Sequence, residues 1–294
     1  MPGIGVIRTA LRELLPRPPI ARVPEPDLVM DDPDKVAAFT RAGREDGIMA
    51  PVYLYHAAQI LSIVRPGDRV ADLGCGPATQ LAMAARLQPE AEFLGIDLSD
   101  EMLGRAQAHI SEQGISNVDF QRGDITALNE VPENALDAVV STVALHQLDS
   151  LQAFRACLSE AARILKPGGG LYIVDFGRLK SERSIEYFAT QYADRQPELF
   201  TIDYRNSLRA AFSKADWRAA VADFLSGYGR LYATFGFPYM VAIKSAVRDR
   251  GSAAQRAALR EIHDAMADHQ KHDLRDLRLF FRLGKLANPL LGEL

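Results

Sequence analysis

The segment "VADLGCGPATQLA", residues 70–82, places a carboxylate and two glycines where an apolar, strand-like run meets a helix-like one. Gly74 and Gly76 stand one residue apart, and Asp72 precedes Gly74 by two positions. Ligands of open parallel sheets bind beyond the carboxyl ends of the strands. A small ligand is therefore expected on this turn, and its class is decided by the surrounding residues.

Two common phosphate-binding motifs are excluded here. The dinucleotide fingerprint requires G-x-G-x-x-G, but Thr79 occupies its last position, and no G-K-[ST] follows to make a P-loop. Asp72 would also repel a pyrophosphate on the turn and would favour a cationic group. Asp97, at the end of the next predicted strand, is suited to accept hydrogen bonds from both ribose hydroxyls. These residues predict a nucleoside with positive charge and no phosphate, and S-adenosylmethionine fits that description.

Five motifs in order resemble the class I S-adenosylmethionine-dependent methyltransferases. They are "VADLGCGPATQLA", "FLGIDLSDEML", "QRGDIT", "LDAVVSTVALHQL" and "EAARILKPGGGLYIVDF". The resemblance covers roughly residues 65–177, with a weaker similarity at 213–245. It is specific to the superfamily and does not specify the methyl acceptor.

The resemblance implies roles only for positions that match. Its cofactor-binding residues are Asp72, Gly74, Cys75, Gly76, Asp97, Leu98, Met102, Asp124, Ile125 and Ser141. Asp72 and the glycines would line the methionine end, and Asp97 would hold the ribose. The adenine would lie between Leu98 and Met102 on one side and Ile125 on the other.

Two of these aspartates have simpler alternatives. Asp97 could cap the following helix, although Ser99 is already available as that N-cap. Asp124 would accept a hydrogen bond from the adenine amino group, or else be an ordinary turn aspartate. Ala78 stands where many members of the family carry a third glycine.

Methyl transfer is an in-line displacement, and a base is needed only if the attacking atom must lose a proton. His146, just past the fourth predicted strand, is the candidate for that base. Alternatively, it positions the cofactor or is a hydrogen-bonded histidine at the rim of the binding site without a role in the reaction. Tyr53, His56 and Asp175 are candidate acceptor contacts. Asp175 could instead cap a helix or pair with Arg178.

Strands alternate with helices from Arg69 onward, which predicts right-handed crossovers and a parallel sheet. The fold class is α/β, a doubly wound Rossmann-like sheet that is mainly parallel with its last strand antiparallel. The predicted strands are "RVADL", "EFLGID", "VDFQRG", "LDAVVST" and "GLYIVDF", followed by two apolar runs that break at Gly236 to Pro238.

Three regions are expected: residues 1–63, a methyltransferase domain at 64–245 with a helical insertion at about 178–212, and a helical extension at 246–294. The first begins with an amphipathic helix, whose apolar face consists of Ile7, Leu11, Leu14 and Leu15. This face would dock on the chain itself, on a second copy or on a membrane surface. Next comes "PRPPIARVPEP", an extended strap laid over the surface.

The aromatic insertion predicts a lid for a small acceptor that is apolar or planar. Four arginines in it could meet an acceptor carboxylate or be solvated: Arg183, Arg195, Arg205 and Arg209. A peptide acceptor docked on the strap and C-terminal helices is the alternative, as is, less favourably, a non-catalytic subunit. Deletion of residues 1–30 would spare turnover of a small acceptor and impair a docked one.

Composition narrows the partners and the compartment. A net charge of −4 and a pI near 5.9 give no basic field for nucleic acid. The two cysteines lack the spacing of metal ligands. Arsenite is a disfavoured acceptor, because its methylation needs several thiolates. So few cysteines also favour a reducing cytoplasm over a compartment where disulfides form. No apolar run is long enough to span a membrane. The apolar stripe with Phe280 and Phe281 would form a homodimer contact or cover the sheet.

Overall fold

The computed structural model describes residues 3–27, 30–43 and 46–292. Seven strands form one sheet: β1 (Arg69–Leu73), β2 (Glu92–Asp97), β3 (Val118–Arg122), β4 (Leu136–Thr142), β5 (Leu165–Phe176), β6 (Arg230–Ala233) and β7 (Met240–Lys244). Their order is β3-β2-β1-β4-β5-β7-β6. The first five run parallel, and β7 lies antiparallel to both β5 and β6. This is the predicted fold class.

Helices flank both faces of this sheet. They are α1 (Ile4–Leu14), α2 (Pro33–Ala42), α3 (Ala50–Leu61), α4 (Thr79–Leu87), α5 (Asp100–Glu112), α6 (Leu151–Ile164), α7 (Glu182–Thr190), α8 (Glu198–Ala210), α9 (Lys214–Ala220), α10 (Ala253–Ala265) and α11 (Asp268–Leu283). Ser99 and Ser213 cap α5 and α9 as their sequences predict, each by accepting a backbone N–H bond.

The two-residue period of β1 divides the core between the faces. Val70 packs in the cluster beneath α3, α4 and α11, whereas Ala71 and Leu73 pack in the cluster beneath α6 and α9. Burial on both faces explains why the strand is almost wholly apolar. Its first residue, Arg69, is exposed, and its one buried polar residue, Asp72, is 2% exposed.

The fifth strand begins earlier than predicted. Leu165 already pairs with Leu136, and a register shift then separates this pair from Gly170 opposite Ala138. The "KPGGG" segment is therefore an irregular stretch of strand, because its glycines let the chain bulge without leaving the sheet. Strand β4 lies between β1 and β5, so the chain order reverses next to β1, where ligands of such sheets bind.

The N-terminal helix packs differently from the prediction. Its apolar residues Ile7, Leu11, Leu14 and Leu15 are all exposed, while Thr9 and Glu13 are buried. The carboxylate of Glu13 accepts a hydrogen bond from the backbone N–H of Lys180 at 2.7 Å. Docking of that apolar face on this chain is thus wrong: the helix packs through Val6 and Ala10 on the apolar cluster around Phe188, together with the polar contact of Glu13.

The C-terminal apolar stripe covers the sheet. Phe281 is fully buried and its ring stacks on Tyr55 of α3, with centroids 5.1 Å apart. Phe280 packs edge-on against Phe237. Helix α11 therefore closes over α3 within a single chain. No helix among the described residues is long and apolar enough to span a membrane.

Candidate active site

A cleft of about 290 Å³ lies at the carboxyl ends of the strands on either side of the chain reversal. Its walls come from the glycine turn after β1, the end of β2, the loop after β3, the end of β4, and helices α3 and α8. Eight predicted cofactor residues line it: Gly74, Cys75, Gly76, Asp97, Leu98, Met102, Asp124 and Ile125. The strands thus gather residues from distant parts of the chain into one wall.

The glycine turn is tied to β2 by its own backbone. The N–H groups of Gly74 and Cys75 both donate to the carbonyl of Ile96, at 2.8 and 3.1 Å. Gly74 has φ +75°, and a Cβ there would lie 2.6 Å from Cβ of Ala144. Gly76 has φ +53°, but a Cβ there would meet no atom within 4 Å. The backbone of the turn consequently stays open for close approach by a ligand.

Ala78 also adopts a left-handed conformation, with φ +60°. This explains why glycine is common at the position in the family, since an L side chain is strained there. The methyl group of Ala78 is fully buried and does not line the cleft. Alanine in place of the family's glycine at this position therefore leaves the wall of the cleft unchanged.

Asp97 joins the turn to the cleft. Its Oδ2 accepts from the N–H of Gly76 at 2.8 Å, and its Oδ1 accepts from the N–H of Ser99 at 3.0 Å. A carboxylate has about four acceptor positions, so two remain for the hydroxyls of a ribose. Burial raises the pKa of Asp97, although these backbone bonds oppose that effect. The residue fits a ribose-binding carboxylate.

Asp72 lies outside the wall of the cleft, contrary to the prediction of direct contact. Its Oδ1 is buried with no hydrogen-bond partner among the described residues. Burial, and secondarily the charge of Asp97, raises its pKa to about 7. An unpaired buried carboxylate is stabilised by a nearby cation, so its chemistry fits the positive methionine end of S-adenosylmethionine.

Ser141 also differs from the prediction. It is fully buried, and its Oγ donates to the carbonyl of Leu73 at 2.7 Å. The side chain therefore ties β4 to β1 and does not line the cleft. Asp124 does line it, and its Oδ1 accepts from both N and Oγ1 of Thr126, at 2.8 and 2.7 Å. Asp124 is thus both a turn aspartate and a residue of the cleft wall, which the sequence left as alternatives.

The other end of the cleft contains His146. This residue lies in a short 3₁₀ turn, Leu145–Gln147, directly after β4. Its Nδ1 is 2.8 Å from Oδ1 of Asp175, and its backbone N–H donates to Oδ2 of the same carboxylate at 2.7 Å. A carboxylate facing Nδ1 makes that nitrogen the donor and leaves Nε2 free to accept a proton.

Two of the expected roles of Asp175 are therefore wrong, whereas the expected helix cap corresponds to the bond that it accepts from the N–H of His146 in the 3₁₀ turn. It neither lines the cleft nor pairs with Arg178, which instead binds Asp216 at 3.3 Å. Asp175 is 1% exposed at the end of β5, the strand next to that preceding His146. Adjacent parallel strands place the two side chains together.

Two acidic residues near His146 were missed from the sequence. Oε1 of Glu25, in the proline-rich strap, is 4.0 Å from Nε2 of His146 and accepts from Oγ of Ser207 at 2.9 Å. Asp203 on α8 lines the cleft. The helical spacing of Phe200, Asp203 and Ser207 signals one shared face, but no spacing links Glu25 to a histidine 121 residues away.

Arg22 holds the strap in this position. Its guanidinium donates to the carbonyls of Ala210 at 2.7 Å, Asp149 at 2.6 Å and His146 at 3.1 Å, and also to that of Leu148. The strap is thus laid over the protein as predicted, and it also brings Glu25 to within 4.0 Å of His146.

The charges around His146 oppose the effect that burial has on its pKa. Burial alone lowers the pKa of the imidazole, but Asp175, Glu25 and Asp203 raise it, and the net effect is a pKa above the ordinary value of 6.5. Burial raises the pKa values of Glu25 and Asp203. The three carboxyl groups therefore stabilise positive charge on His146 at this end of the cleft, which we call the acceptor end.

Helix α3 supplies the predicted residues Tyr53 and His56, and both line the cleft. Tyr55, two positions from Tyr53, packs instead against α11, as helical geometry requires. His56 is 1% exposed; its Nδ1 is 2.7 Å from the hydroxyl of Tyr172, and its Nε2 has no partner among the residues described. Burial lowers its pKa to about 3, so the ring is neutral.

The insertion forms a lid, with Phe200, Tyr204 and Ser207 in the cleft wall. Its arginines do not serve an acceptor there. Arg205 pairs with Glu186 and Arg209 with Glu182, and none of Arg183, Arg195, Arg205 and Arg209 lines the cleft. Across residues 3–27, 30–43 and 46–292, no three His, Cys, Asp or Glu side chains are grouped to hold a metal.

Comparison with known proteins identifies the domain. A family profile described as "Methyltransferase domain" matches residues 65–215. The "Ubiquinone biosynthesis O-methyltransferase" of Xanthomonas campestris pv. campestris is 28% identical over 205 residues, which cover 68% of this chain and 83% of that protein. The "Probable methyltransferase ltbC" of Aspergillus luteorubrus is 32% identical over 118 residues, only 38% of this chain and 41% of its own length.

Solved structures share the fold. An S-adenosylmethionine-dependent methyltransferase from Aquifex aeolicus aligns over 74% of this chain and 98% of its own, with a TM-score of 0.50 and 19% identity. An O-methyltransferase family protein from Burkholderia thailandensis aligns over 82% of this chain and 68% of its own, with a TM-score of 0.53 and 20% identity. At these identities the alignments establish the architecture alone.

Proposed function

Because the chain belongs to the class I S-adenosylmethionine-dependent methyltransferases, we propose that it methylates a hydroxyl group of a small, apolar acceptor. One observation carries this proposal: His146, held by Asp175, lies in the same cleft as the glycine turn and Asp97. An alcohol or phenol has a proton to lose, and a base is placed to take it. The relatives named O-methyltransferases also favour oxygen as the attacking atom.

We assign the cofactor end of the cleft to S-adenosylmethionine. When bound, this group supplies a methyl on a sulfonium, which a nucleophile attacks directly. Asp97 accepts hydrogen bonds from the ribose, and Asp124 accepts one from the adenine amino group. The apolar side chains Leu98, Met102 and Ile125 enclose the base. The unpaired carboxylate of Asp72 stabilises the positive charge from behind the turn.

His146 acts as the general base in this proposal. Its Nε2 would accept the proton that the hydroxyl group loses, while S-adenosylmethionine would supply the methyl group to the acceptor oxygen and leave as the neutral thioether. The carboxylates of Asp175 and Glu25 stabilise the imidazolium that results. General base catalysis of this kind contributes about 10²–10⁴-fold.

The orientation of the two reactants supplies the remaining part of the proposed rate enhancement. Phe176 lies beside His146, with ring centroids 5.5 Å apart, and Tyr204 of the lid packs on Phe176 at 5.4 Å. These rings keep water from the reacting atoms and hold a planar acceptor. Alignment of two reactants contributes as much as about 7–11 kcal/mol.

A peptide acceptor docked on the strap is less well supported. The strap is occupied by contacts within the chain, and it delivers Glu25 to the acceptor end. Deletion of residues 1–30 is therefore expected to impair turnover of a small acceptor too, and it does not distinguish the two classes.

We further propose that the three regions work as one unit. Residues 64–245 contain the cofactor wall, residues 1–63 contribute the strap and the cover of α3, and residues 246–294 brace α3 through α11.

The experiment that tests the function is a transfer assay with methyl-labelled S-adenosylmethionine and a panel of phenols, matched anilines and thiophenols. Label is expected in the phenols, and His146→Gln should abolish most of it while leaving cofactor binding intact. Label in the anilines alone, or full activity of His146→Gln, would contradict the proposal.

A further inference from the structure

A second cavity, of about 120 Å³, adjoins the acceptor end of the cleft. We call it the aromatic cavity, because seven aromatic residues line its walls: Phe176, Phe188, Tyr192, Tyr204, Phe237, Tyr239 and Phe280. Phe188 stacks on Tyr239 with centroids 4.1 Å apart, and the hydroxyls of Tyr204 and Tyr239 are hydrogen-bonded. The lid, the β6–β7 turn and α11 all contribute to this enclosure.

Only one layer of side chains separates the aromatic cavity from the cleft. Met49, Val52, Val143, Phe176 and Tyr204 line both spaces. Val143 has φ +56°, a conformation that a β-branched residue rarely adopts. Strain of this kind concentrates at functional sites. An acceptor seated at His146 would thus extend toward the aromatic cavity.

Two carboxylates are the only charged side chains among the described residues that line this cavity, and they lie beside the neutral polar side chains of Gln191, Gln196 and Thr234. Asp276 is 8% exposed, and its Oδ1 is buried without a hydrogen-bond partner. Its Oδ2 is 3.5 Å from Nε2 of His272. The neighbouring carboxylate of Asp273 accepts from the hydroxyl of Tyr192, at 2.7 Å to one oxygen and 2.6 Å to the other.

No lysine or arginine in the described part of the chain lies within ion-pair distance of Asp273 or Asp276. The buried Oδ1 of Asp276 costs free energy as long as it has no partner, whereas an apolar residue would fill such a wall without that cost. Asp276 is therefore better explained by a ligand than by the packing of α11, and Asp273, which Tyr192 already binds, lies beside it.

The lining selects the class of ligand. Aromatic faces attract organic cations, and carboxylates add a charged hydrogen-bond acceptor. A carboxylate or phosphate would be repelled, and a neutral alkyl chain would leave Oδ1 of Asp276 unpaired. Grouped metal ligands are absent from the described residues, so a hard metal ion does not match the site.

We propose that the aromatic cavity binds a protonated amine, and that the methyl acceptor carries this ammonium group at the end remote from its nucleophile. The inference deepens the proposed function and rests on it for the identity of the acceptor. The ammonium group donates to Asp276 and Asp273, and its carbon substituents pack on Phe188 and Tyr239.

The test is calorimetric titration of the full chain, with S-adenosylhomocysteine present, using matched pairs of phenols. Tyramine is compared with 4-ethylphenol, and 4-(4-aminobutyl)phenol with 4-butylphenol, because two chain lengths sample the span between the cavities. We expect the amine of at least one pair to bind at least tenfold more tightly than its neutral partner. Equal affinities in both pairs, or no binding by any probe, would overturn the proposal.

Variants of α11 test whether the preference for the amine arises in the aromatic cavity. Asp276→Asn is expected to remove most of the amine preference, whereas Asp268→Asn, an exposed charge on the same helix, keeps it. If Asp276→Asn does not fold, Asp273→Asn carries the test. A preference that survives both cavity variants would overturn the assignment. Phenol methylation without amine preference would reject this inference alone, and amine binding without any methylation would reject the proposed function alone.

Discussion

Asp175 holds His146 at two points, since Oδ1 faces the ring Nδ1 at 2.8 Å and Oδ2 accepts the backbone N–H at 2.7 Å. One carboxylate thereby fixes both the tautomer of the imidazole and the position of the turn that carries it. The arrangement depends on neighbouring strands: His146 follows β4, and Asp175 ends β5. This pair favours the proposed role of His146 as a general base over that of an ordinary residue at the rim of the cleft.

Asp175→Asn is expected to lower kcat by about 10²-fold or more, because the base loses its orienting charge. Affinity for S-adenosylmethionine should change little, since Asp175 does not line the cleft. Steady-state kinetics and calorimetry check the two parts. If the residues act as a unit, the double variant with His146→Ala is no slower than His146→Ala alone. Additive losses would show that Asp175 acts elsewhere.

The pH dependence of kcat should follow the ionisation of His146. The neutral imidazole is the base, so kcat rises with pH through a midpoint above 6.5, in the direction of the raised pKa. Glu25→Gln removes a charge that stabilises the imidazolium, and the midpoint should then move to lower pH. A pH–rate profile checks this shift; a midpoint that stays fixed or moves upward would remove Glu25 from the site.

His56 predicts a second effect of pH, on stability. Its pKa is lowered to about 3 in the folded chain, whereas the unfolded chain has the ordinary value of 6.5. The unfolded state therefore binds a proton first, and stability falls as pH drops from about 6.5 toward about 3. The slope due to this residue is at most about 1.4 kcal/mol per pH unit.

Urea unfolding of the wild type and of His56→Gln, measured from pH 7 to pH 4, checks this effect. The variant should be less stable near pH 7, because Tyr172 loses its partner, and less dependent on pH in the acidic range. Parallel curves for the two proteins would contradict a buried neutral histidine.

The two glycines of the turn form a matched pair for mutation. Both have positive φ, which costs about 1–2 kcal/mol for an L residue. Only Gly74→Ala adds a clash, at 2.6 Å from Cβ of Ala144. We expect Gly74→Ala to destabilise the chain more than Gly76→Ala, and Ala144→Gly to restore only the difference. Equal losses in chemical denaturation would show that the clash relaxes freely.

The sequence predicts well what is local or periodic. The strands β1, β2 and β4 begin and end as their apolar runs indicate, and Ser99 and Ser213 cap helices as their spacing suggests. The ordered motifs also place eight of ten cofactor residues on the cleft wall. The exceptions, Asp72 and Ser141, are buried within β1 and β4 and do not line the cleft.

What the sequence does not predict depends on contacts between distant segments. Glu25 reaches His146 because Arg22 fixes the strap on carbonyls of the β4–α6 connection and of the last residue of α8. The apolar face of α1 is exposed because the buried Glu13 binds the chain at Lys180, an interaction that periodicity does not reveal. Asp273 and Asp276 look like ordinary helix surface until α7 and the β6–β7 turn cover them.

Calorimetric titration with S-adenosylmethionine, run beside NADH and repeated on Asp97→Ala, tests the central claim most directly. We expect micromolar binding of S-adenosylmethionine, none of NADH, and a loss of more than about tenfold, or 1.4 kcal/mol, in the variant. Asp119→Asn, an exposed aspartate on β3, should bind as the wild type does. No binding of S-adenosylmethionine by folded protein, or unchanged affinity in Asp97→Ala, would contradict the account.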